Sequence, residues 1–413
     1  MKLSKFEEEM LAGKHGEPRR FALEQQIKVG GFFDAERFVE VAQVHLMADS
    51  EATGPAGVEL LERFVGHGPT DCRAMVPTVT DPCSVDAHVC DSMKQPPHAK
   101  EYEDRIAAAF DAMGIMRTST CINYQTILPP LKGEHVAFGD TGSVIYANSV
   151  CGARSNFEGG SAALWASLTG RVPAYGYHKD EVRLGKQHFR LAFQPNNWTD
   201  WGAIGALVGK RMTSYWDVPV ISGIEAAPTS DDLKHFGAAL ASFGSTPMFH
   251  IVGVTPEAPT LADAFGGPVP DSVVIDRAMM NTFFDSYNQE SRIDLVVFSA
   301  PQLSLFELRK LADLLGGRKV ADGVRVFATT SPEVANAARR VGILDRITAS
   351  GAVVVEGTCF YQMYAREIGQ ANGWSRIATN SAKLSNIISG YGYDPVLLPM
   401  DRCIETALKG QLA

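Results

Sequence analysis

The chain has 413 residues, 45% hydrophobic and 21% charged. That composition excludes a disordered or collagen-like protein, and the length allows two or three domains or one large one. Acidic residues outnumber basic ones by 47 to 38, a net charge of −9 with no basic run, which speaks against binding nucleic acid or an anionic membrane. No apolar stretch approaches the roughly 18–20 residues that span a bilayer. The opening MKLSKFEEEMLAGKHG is charged and lacks the apolar core of a secretory signal, so the sequence points to a cytoplasmic protein.

In chain order, the first ~45 residues read as helical. Phe6, Met10 and Leu11 share a face that Gly13 can close, and Phe33, Phe38, Val41 and Val44 continue the pattern. Ala74–Val79 predicts a strand ending in the turn Thr80-Asp81-Pro82. Glu101–Met113 has the helical spacing Ile106, Ala109, Phe110, Met113. From Cys121 to Gly160 the chain is rich in Gly, Asn and Ser with little periodicity, as in a long ordered functional loop. A helix Ala162–Leu168 stops at Gly170.

Beyond it, strands and helices alternate. Met248–Val254, Asp294–Phe298, Val324–Ala328 and Ala352–Val355 are apolar strands. Ser304 and Glu307 form a capping box for a helix Leu305–Leu315 stopped by Gly316. Ser331 caps a helix with Pro332 at its first position and Gly342 just past its end. This alternation predicts an α/β fold of mostly parallel sheets, divided at about 1–70 (helical), 71–240 (donor-rich and α/β) and 241–413 (α/β). Ligands of such sheets sit beyond the carboxyl ends of strands, where Ser299-Ala300-Pro301 and Cys359 fall.

The seven cysteines are odd in number and scattered, which argues against a disulfide framework and for free thiols, some of them candidate metal ligands. Cys83, His88 and Cys90 form one closely spaced ligand-capable trio. In Gly139–Gly160, Asn148, Ser149, Arg154 and Asn156 can donate hydrogen bonds to a carboxylate or phosphate, or tie the loop to itself. In Thr379–Lys383, Asn380 or Ser381 caps a helix whose start, with Lys383, reads as an anion site or as an ordinary cap beside a solvated lysine.

Taken together, Ser119-Thr-Cys-Ile-Asn-Tyr124, Gly133-Glu-His135, Gly139-Asp-Thr-Gly142, Tyr146-Ala-Asn-Ser149, Gly152-Ala-Arg154, Val172-Pro-Ala-Tyr-Gly176, Thr358-Cys359, Thr379–Lys383 and Cys403-Ile-Glu-Thr-Ala-Leu408 resemble aconitase X over nearly the whole chain, 1–413. The resemblance implies a three-domain, aconitase-like α/β/α catalytic region and dehydration of a small hydroxy acid with an iron–sulfur cluster. Cys121 and Cys359 match cluster-ligand positions. Characterised members act on cis-3-hydroxy-L-proline or mevalonate 5-phosphate; the first is the expected substrate. Thr78, Asp81, Asn148, Ser149, Arg154 and Asn380 are the expected substrate contacts. Ser381 and Lys383 are the expected proton carriers, Lys383 as a base only if burial lowers its pKa.

Two departures qualify the resemblance. Where the family has a Gly-Cys-Pro-His-like turn, this chain reads Ser299-Ala300-Pro301-Gln302, so the third thiolate is replaced by Ala300. Cys83, Cys151 or Cys403 would then complete the site, or another metal such as iron alone would bind, or the metal is absent. The alternatives to a hydroxyproline dehydratase are an isomerase or dehydratase with a different metal and substrate, or a non-catalytic ligand-binding subunit. The turn Thr80-Asp81-Pro82 replaces a usual Thr-Leu-Asn. The chain also lacks the small swivel domain of the aconitase plan, so a separate swivel subunit is expected to close the site.

Overall fold

Fourteen strands assemble into four sheets in the computed structural model, which describes residues 1–413. Strands β1 (Phe38–Glu40) and β5 (Arg171–Pro173) pair as an antiparallel ribbon; every other ladder is parallel. β2 (Val44–Leu46), β3 (Thr78–Thr80) and β4 (Ala137–Phe138) form a sheet in the order β3-β2-β4. β6 (Gln187–Leu191), β7 (Pro219–Ser222), β8 (His250–Ile251) and β9 (Ser272–Ile275) are ordered β8-β7-β6-β9. β10 (Leu295–Leu303), β11 (Arg325–Thr330), β12 (Val353–Glu356), β13 (Arg376–Thr379) and β14 (Asp394–Leu397) are ordered β12-β11-β10-β13-β14.

The parallel strands are covered on both faces, as their near-continuous apolar sequences require. Along β10 the side chains alternate between two cores. Leu295 and Val297 pack with Phe360, Ile377 and Leu384, while Val296 and Phe298 pack with Leu308, Leu311, Ile347 and Ile404. The capping box of Ser304 and Glu307 forms as expected and starts helix Leu305–Leu315. In the middle domain, helices Trp198–Gly209 and Ser230–Gly244 approach so closely that a Cβ on Gly205 would lie 2.3 Å from the Phe236 carbonyl oxygen.

Three expectations need correction. Phe38 and Val44 lie in strands rather than in a continuing helix, because helix Glu17–Phe32 ends before Asp34 turns left-handed (φ 54°) and Phe38 finds its partner at Pro173, far along the chain. The division at residue 70 cuts the sheet that β2 forms with β3 and β4, and a break at 240 falls inside helix Ser230–Gly244. The segment from Cys121 to Gly160 is not one long loop: it holds β4 and helix Thr141–Tyr146, which runs on through a π-helical turn Ala147–Cys151 to the left-handed Gly152.

Strand order places the chemistry. In the last sheet the chain moves outward from β10 to β11 and β12, then crosses back to β13 on the other side of β10. That reversal opens a crevice at the carboxyl ends of β10 and β13. In the first sheet β3 and β4 flank β2 in the same way. The loops beyond these two sets of strand ends meet.

Candidate active site

Asp140 follows β4 and caps helix Thr141–Tyr146, its Oδ2 accepting the Ser143 N–H at 2.8 Å. Its Oδ1 accepts from Lys383 Nζ at 3.2 Å, across the junction between the first and last sheets. Lys383 stands in helix Ala382–Ile387, just beyond β13. Burial alone would lower its pKa, but Asp140, reinforced by Cys121, Cys359 and Asp81, reverses this and raises it. Asp140 is likewise held as a carboxylate below its usual range, because Lys383 outweighs the burial that would raise it. Lys383 is therefore a buried ammonium and not the pKa-depressed base that the sequence left open. Ser381 is the helix N-cap: its Oγ accepts from Leu384 N–H at 3.0 Å and donates to the Ala300 carbonyl. Its helix has only six residues.

The two resemblance-derived ligands also converge here. Cys121 Sγ accepts from the Gln302 N–H at 3.4 Å, and Cys359 Sγ lies 3.5 Å from Ser299 Oγ. Gln302 ties the two cysteine segments together through Nε2, which donates to the Ser119 and Thr358 carbonyls at 3.1 Å each. Burial pushes the Cys359 thiol up to about 12. Burial, then the proximity of Cys359, raises Cys121 further.

The aconitase X family implies a metal or iron–sulfur centre. A three-cysteine cluster needs a third thiolate, and position 300 offers a methyl group at 1% exposure. Cys83 turns its Sγ to the Gly357 and Val85 carbonyls at 3.2 and 3.4 Å. Cys403 Sγ faces the Leu398 carbonyl at 3.5 Å. Nowhere do three His, Cys, Asp or Glu side chains gather in a way that would hold a metal ion, the trio Cys83, His88 and Cys90 included. The donor set of this chain does not fit a three-cysteine cluster.

Asp81, directly after β3, is completely buried. Its Oδ2 accepts from Gln362 Nε2 at 3.0 Å, and its Oδ1 has no hydrogen-bond partner. The same Gln362 Nε2 reaches Asp49 Oδ2 at 3.3 Å. His45 Nε2 lies 3.6 Å from Asp81 Oδ1 but is engaged by the Thr120 carbonyl at 2.8 Å, and burial lowers the pKa of the ring. A carbonyl only accepts, so Nε2 carries the proton and His45 is a neutral donor. Burial, then the charge of Asp140, pushes Asp81 well above the usual carboxylate range.

Other expected contacts serve the scaffold. Asn148 spends its whole amide on the chain, with Nδ2 donating to the Ser155 and Pro247 carbonyls and Oδ1 accepting from Ser155 N–H. Ser149 Oγ accepts from Phe249 N–H at 2.9 Å. Arg154 binds the His178 carbonyl and the exposed Asp180. Thr78 Oγ1 returns to the Val76 carbonyl at 3.0 Å. Asn380 is buried beside Ser381, its carbonyl accepting from Thr199 Oγ1 at 3.2 Å. A cavity of about 810 Å³ lies elsewhere, lined by Trp198, Asp231, Phe306 and Asp401.

Asp140, Gln362 and Gln302 join the site without being among the residues the sequence points to. Asp140 carried a signal: it sits in the donor-rich Gly139-Asp140-Thr141-Gly142, where an acidic N-cap is the natural partner for a buried lysine.

Two parallel sheets thus aim their strand ends at one buried ammonium–carboxylate pair and two cysteines, the crevice expected of an α/β enzyme. Profiles for the aconitase X first, second and third domains match residues 1–181, 185–285 and 293–409. The chain belongs to the aconitase X family. It is similar to the phosphomevalonate dehydratase large subunit of Methanothermobacter thermautotrophicus, 32% identical over 95% of this chain and 96% of that protein. It is equally similar, at 32%, to the cis-3-hydroxy-L-proline dehydratase of Pseudomonas aeruginosa, over 99% of this chain and 70% of that protein. The crystal structure of Thermococcus kodakaraensis aconitase X in its holo-form superposes with a TM-score of 0.87 at 26% identity, covering 98% of this chain and all of that one. This chain is a dehydratase of that family. No helix is long and apolar enough to cross a membrane.

Proposed function

We propose that this chain dehydrates a small hydroxy carboxylic acid, with cis-3-hydroxy-L-proline as its substrate. The observation that carries the reading is the convergence of Lys383, Asp140, Cys121, Cys359 and Asp81 at the strand ends of two sheets. Relatives of the two known substrate types are equally similar, so charge discriminates between them. Lys383 is the one cation among three buried carboxylates, Asp49, Asp81 and Asp140. A phosphate monoester would bring about two further negative charges into that setting, whereas a hydroxy amino acid brings none in net.

Elimination of water needs a proton removed from the carbon beside the carboxylate and a proton given to the departing hydroxide. Lys383, held as an ammonium, is suited to hold the substrate carboxylate, whose charge grows as the neighbouring carbon loses its proton, or to protonate the leaving oxygen. Ser381 and Asn380 flank it; Ser381 would have to release the Ala300 carbonyl to carry a proton. The sheet ends and the buried position of every group keep water from competing with these interactions.

We also propose a separate small swivel subunit that closes over the crevice. The relatives named large subunit, and the 30% of the Pseudomonas protein that this chain does not cover, support it. The seven free thiols fit a reducing cytoplasm. The test is incubation of the chain with its small subunit and either cis-3-hydroxy-L-proline or mevalonate 5-phosphate, reading loss of water by mass spectrometry. Turnover of the first supports the reading; turnover of the second alone overturns the substrate, and turnover of neither overturns the activity.

A further inference from the structure

The first and last domains leave one buried carboxyl incompletely partnered. Asp81 is fully buried, accepts one neutral hydrogen bond, and has an oxygen with no partner at all. Its neighbours cannot neutralise it. Lys383 Nζ is spent on Asp140 at 3.2 Å. His45 is neutral and donates to Thr120. Gln362 shares a single amide nitrogen between Asp81 and a second buried carboxylate, Asp49. Burial without a cation keeps this carboxyl protonated, and a positive group brought in from outside the chain would let it ionise as a pair.

That group belongs in the site. His45 Nε2, 3.6 Å from Asp81 Oδ1, is bonded to the carbonyl of Thr120 beside Cys121, and Gln362, bonded to Asp81 Oδ2, adjoins Tyr361, over whose ring Lys383 Nζ stands at 5.9 Å. A substrate carboxylate drawn to Lys383 would therefore hold its α-substituent beside Asp81. We propose that Asp81, seconded by Asp49 through Gln362, receives the ammonium group of the substrate, so that the site selects hydroxy amino acids over hydroxy acids that lack nitrogen or carry phosphate. The inference rests on the dehydratase reading only for the location of the site. It assigns the residue that decides the substrate class. An ammonium has the N–H donors that the free Oδ1 lacks, and one α-amino acid supplies both charges, its carboxylate for Lys383 and its ammonium for Asp81.

The test separates binding from turnover. Calorimetry on the chain with its small subunit compares L-proline with cyclopentanecarboxylate, a ring of the same size that has the carboxylate and no nitrogen. The expected result is at least a tenfold preference for L-proline in the wild type that shrinks to less than threefold in Asp81→Asn. That variant replaces a buried ionisable carboxyl and keeps the shape, so its melting temperature is expected to hold or rise; Asp49→Asn should weaken the preference in part. Equal binding of the two ligands, binding of neither, or a preference that survives Asp81→Asn overturns the inference. Turnover of mevalonate 5-phosphate or of 2-hydroxycyclopentanecarboxylate as fast as hydroxyproline also overturns it while leaving the dehydratase reading intact. An Asp81-dependent preference for L-proline in a chain that dehydrates nothing would sustain the inference and remove the dehydratase reading.

Discussion

Lys383 Nζ and Asp140 Oδ1 stand 3.2 Å apart although their positions are 243 apart in the sequence, and the pair joins the strand ends of the first and last sheets. Both side chains are about 5% exposed. Removing one partner of such a pair strands the other charge in the interior, at a cost of roughly 3–5 kcal/mol. Lys383→Met is therefore expected to lower stability to chemical denaturation by about that amount and to cut kcat by about 10²- to 10⁴-fold. Lys383→Arg keeps the charge, so it should recover most of the stability and little of the rate. Rate recovery to near wild type in Lys383→Arg would mean that the lysine only holds the two domains together.

Position 300 sets what the cysteine pair can hold. With Ala300 beside Cys121 and Cys359, the chain offers two thiolates where a three-cysteine cluster needs three. Ala300 already sits at φ 52°, so replacing it by another residue with a Cβ adds no new backbone strain. Ala300→Cys is expected to increase the iron and acid-labile sulfide retained per chain after anaerobic purification. The gain should vanish when Cys121→Ser or Cys359→Ser is added. Wild-type protein that already carries a full complement of iron and sulfide would show that a ligand from outside this chain replaces the third cysteine.

The later α/β half was legible because local signals decide it. The capping box at Ser304 and Glu307 and the apolar runs of β10 to β12 need no distant partner to be recognised. In the first 45 residues the helices Lys5–Leu11 and Glu17–Phe32 form as the pattern predicts, whereas Phe38 and Val44 owe their extended form to β5, β3 and β4, which are remote in sequence. The same distinction divides the site. Cys121, Cys359, Ser381, Lys383 and Asp81 do gather, since each follows a strand whose end can be predicted or sits in a segment with a strong resemblance. Asn148, Ser149 and Arg154 turn to their own scaffold. A polar side chain in a sequence does not reveal whether it faces a ligand or a backbone carbonyl. Gln302 and Gln362 were missed for the complementary reason: a neutral amide carries no chemical signature until the carbonyls and carboxylates it ties are placed around it.

Behind the cysteine pair, Lys234 is buried against Asp231 at 3.1 Å and Glu307, and Nζ also donates to the Gln302 carbonyl at 3.2 Å. Burial works against ionisation of Glu307, but Lys234 and His235 reverse it and bring its pKa to about 2. A depressed carboxylate contributes stability above its unfolded pKa, roughly 4.3, and loses it as pH falls through the folded value. Glu307→Gln is thus expected to destabilise the chain by about 3–5 kcal/mol at pH 7. The deficit relative to wild type should shrink between pH 4 and 2. Unchanged stability at pH 7 would contradict this account.

Glu158 and His178 predict the opposite dependence at the alkaline end. Glu158 Oε1 is buried without a hydrogen-bond partner, 4.0 Å from the equally unpartnered His178 Nε2. Burial pushes Glu158 up to about 8 and His178 down to about 3, with Arg183 and Arg154 adding to the shift of the histidine. Both groups are therefore neutral in the folded chain near pH 6. A carboxyl whose folded pKa is raised favours folding below its unfolded value, and that contribution is lost as pH rises from roughly 4.3 towards the folded value. For His178 the neutral form is the folded one, so stability is lost as pH falls from about 6.5 towards 3. Glu158→Gln keeps the shape and cannot ionise. Its melting temperature is expected to match wild type near pH 4 and to exceed it increasingly up to pH 8. A constant difference across that range, measured by differential scanning calorimetry, would mean that Glu158 is already ionised and paired with His178 in the fold.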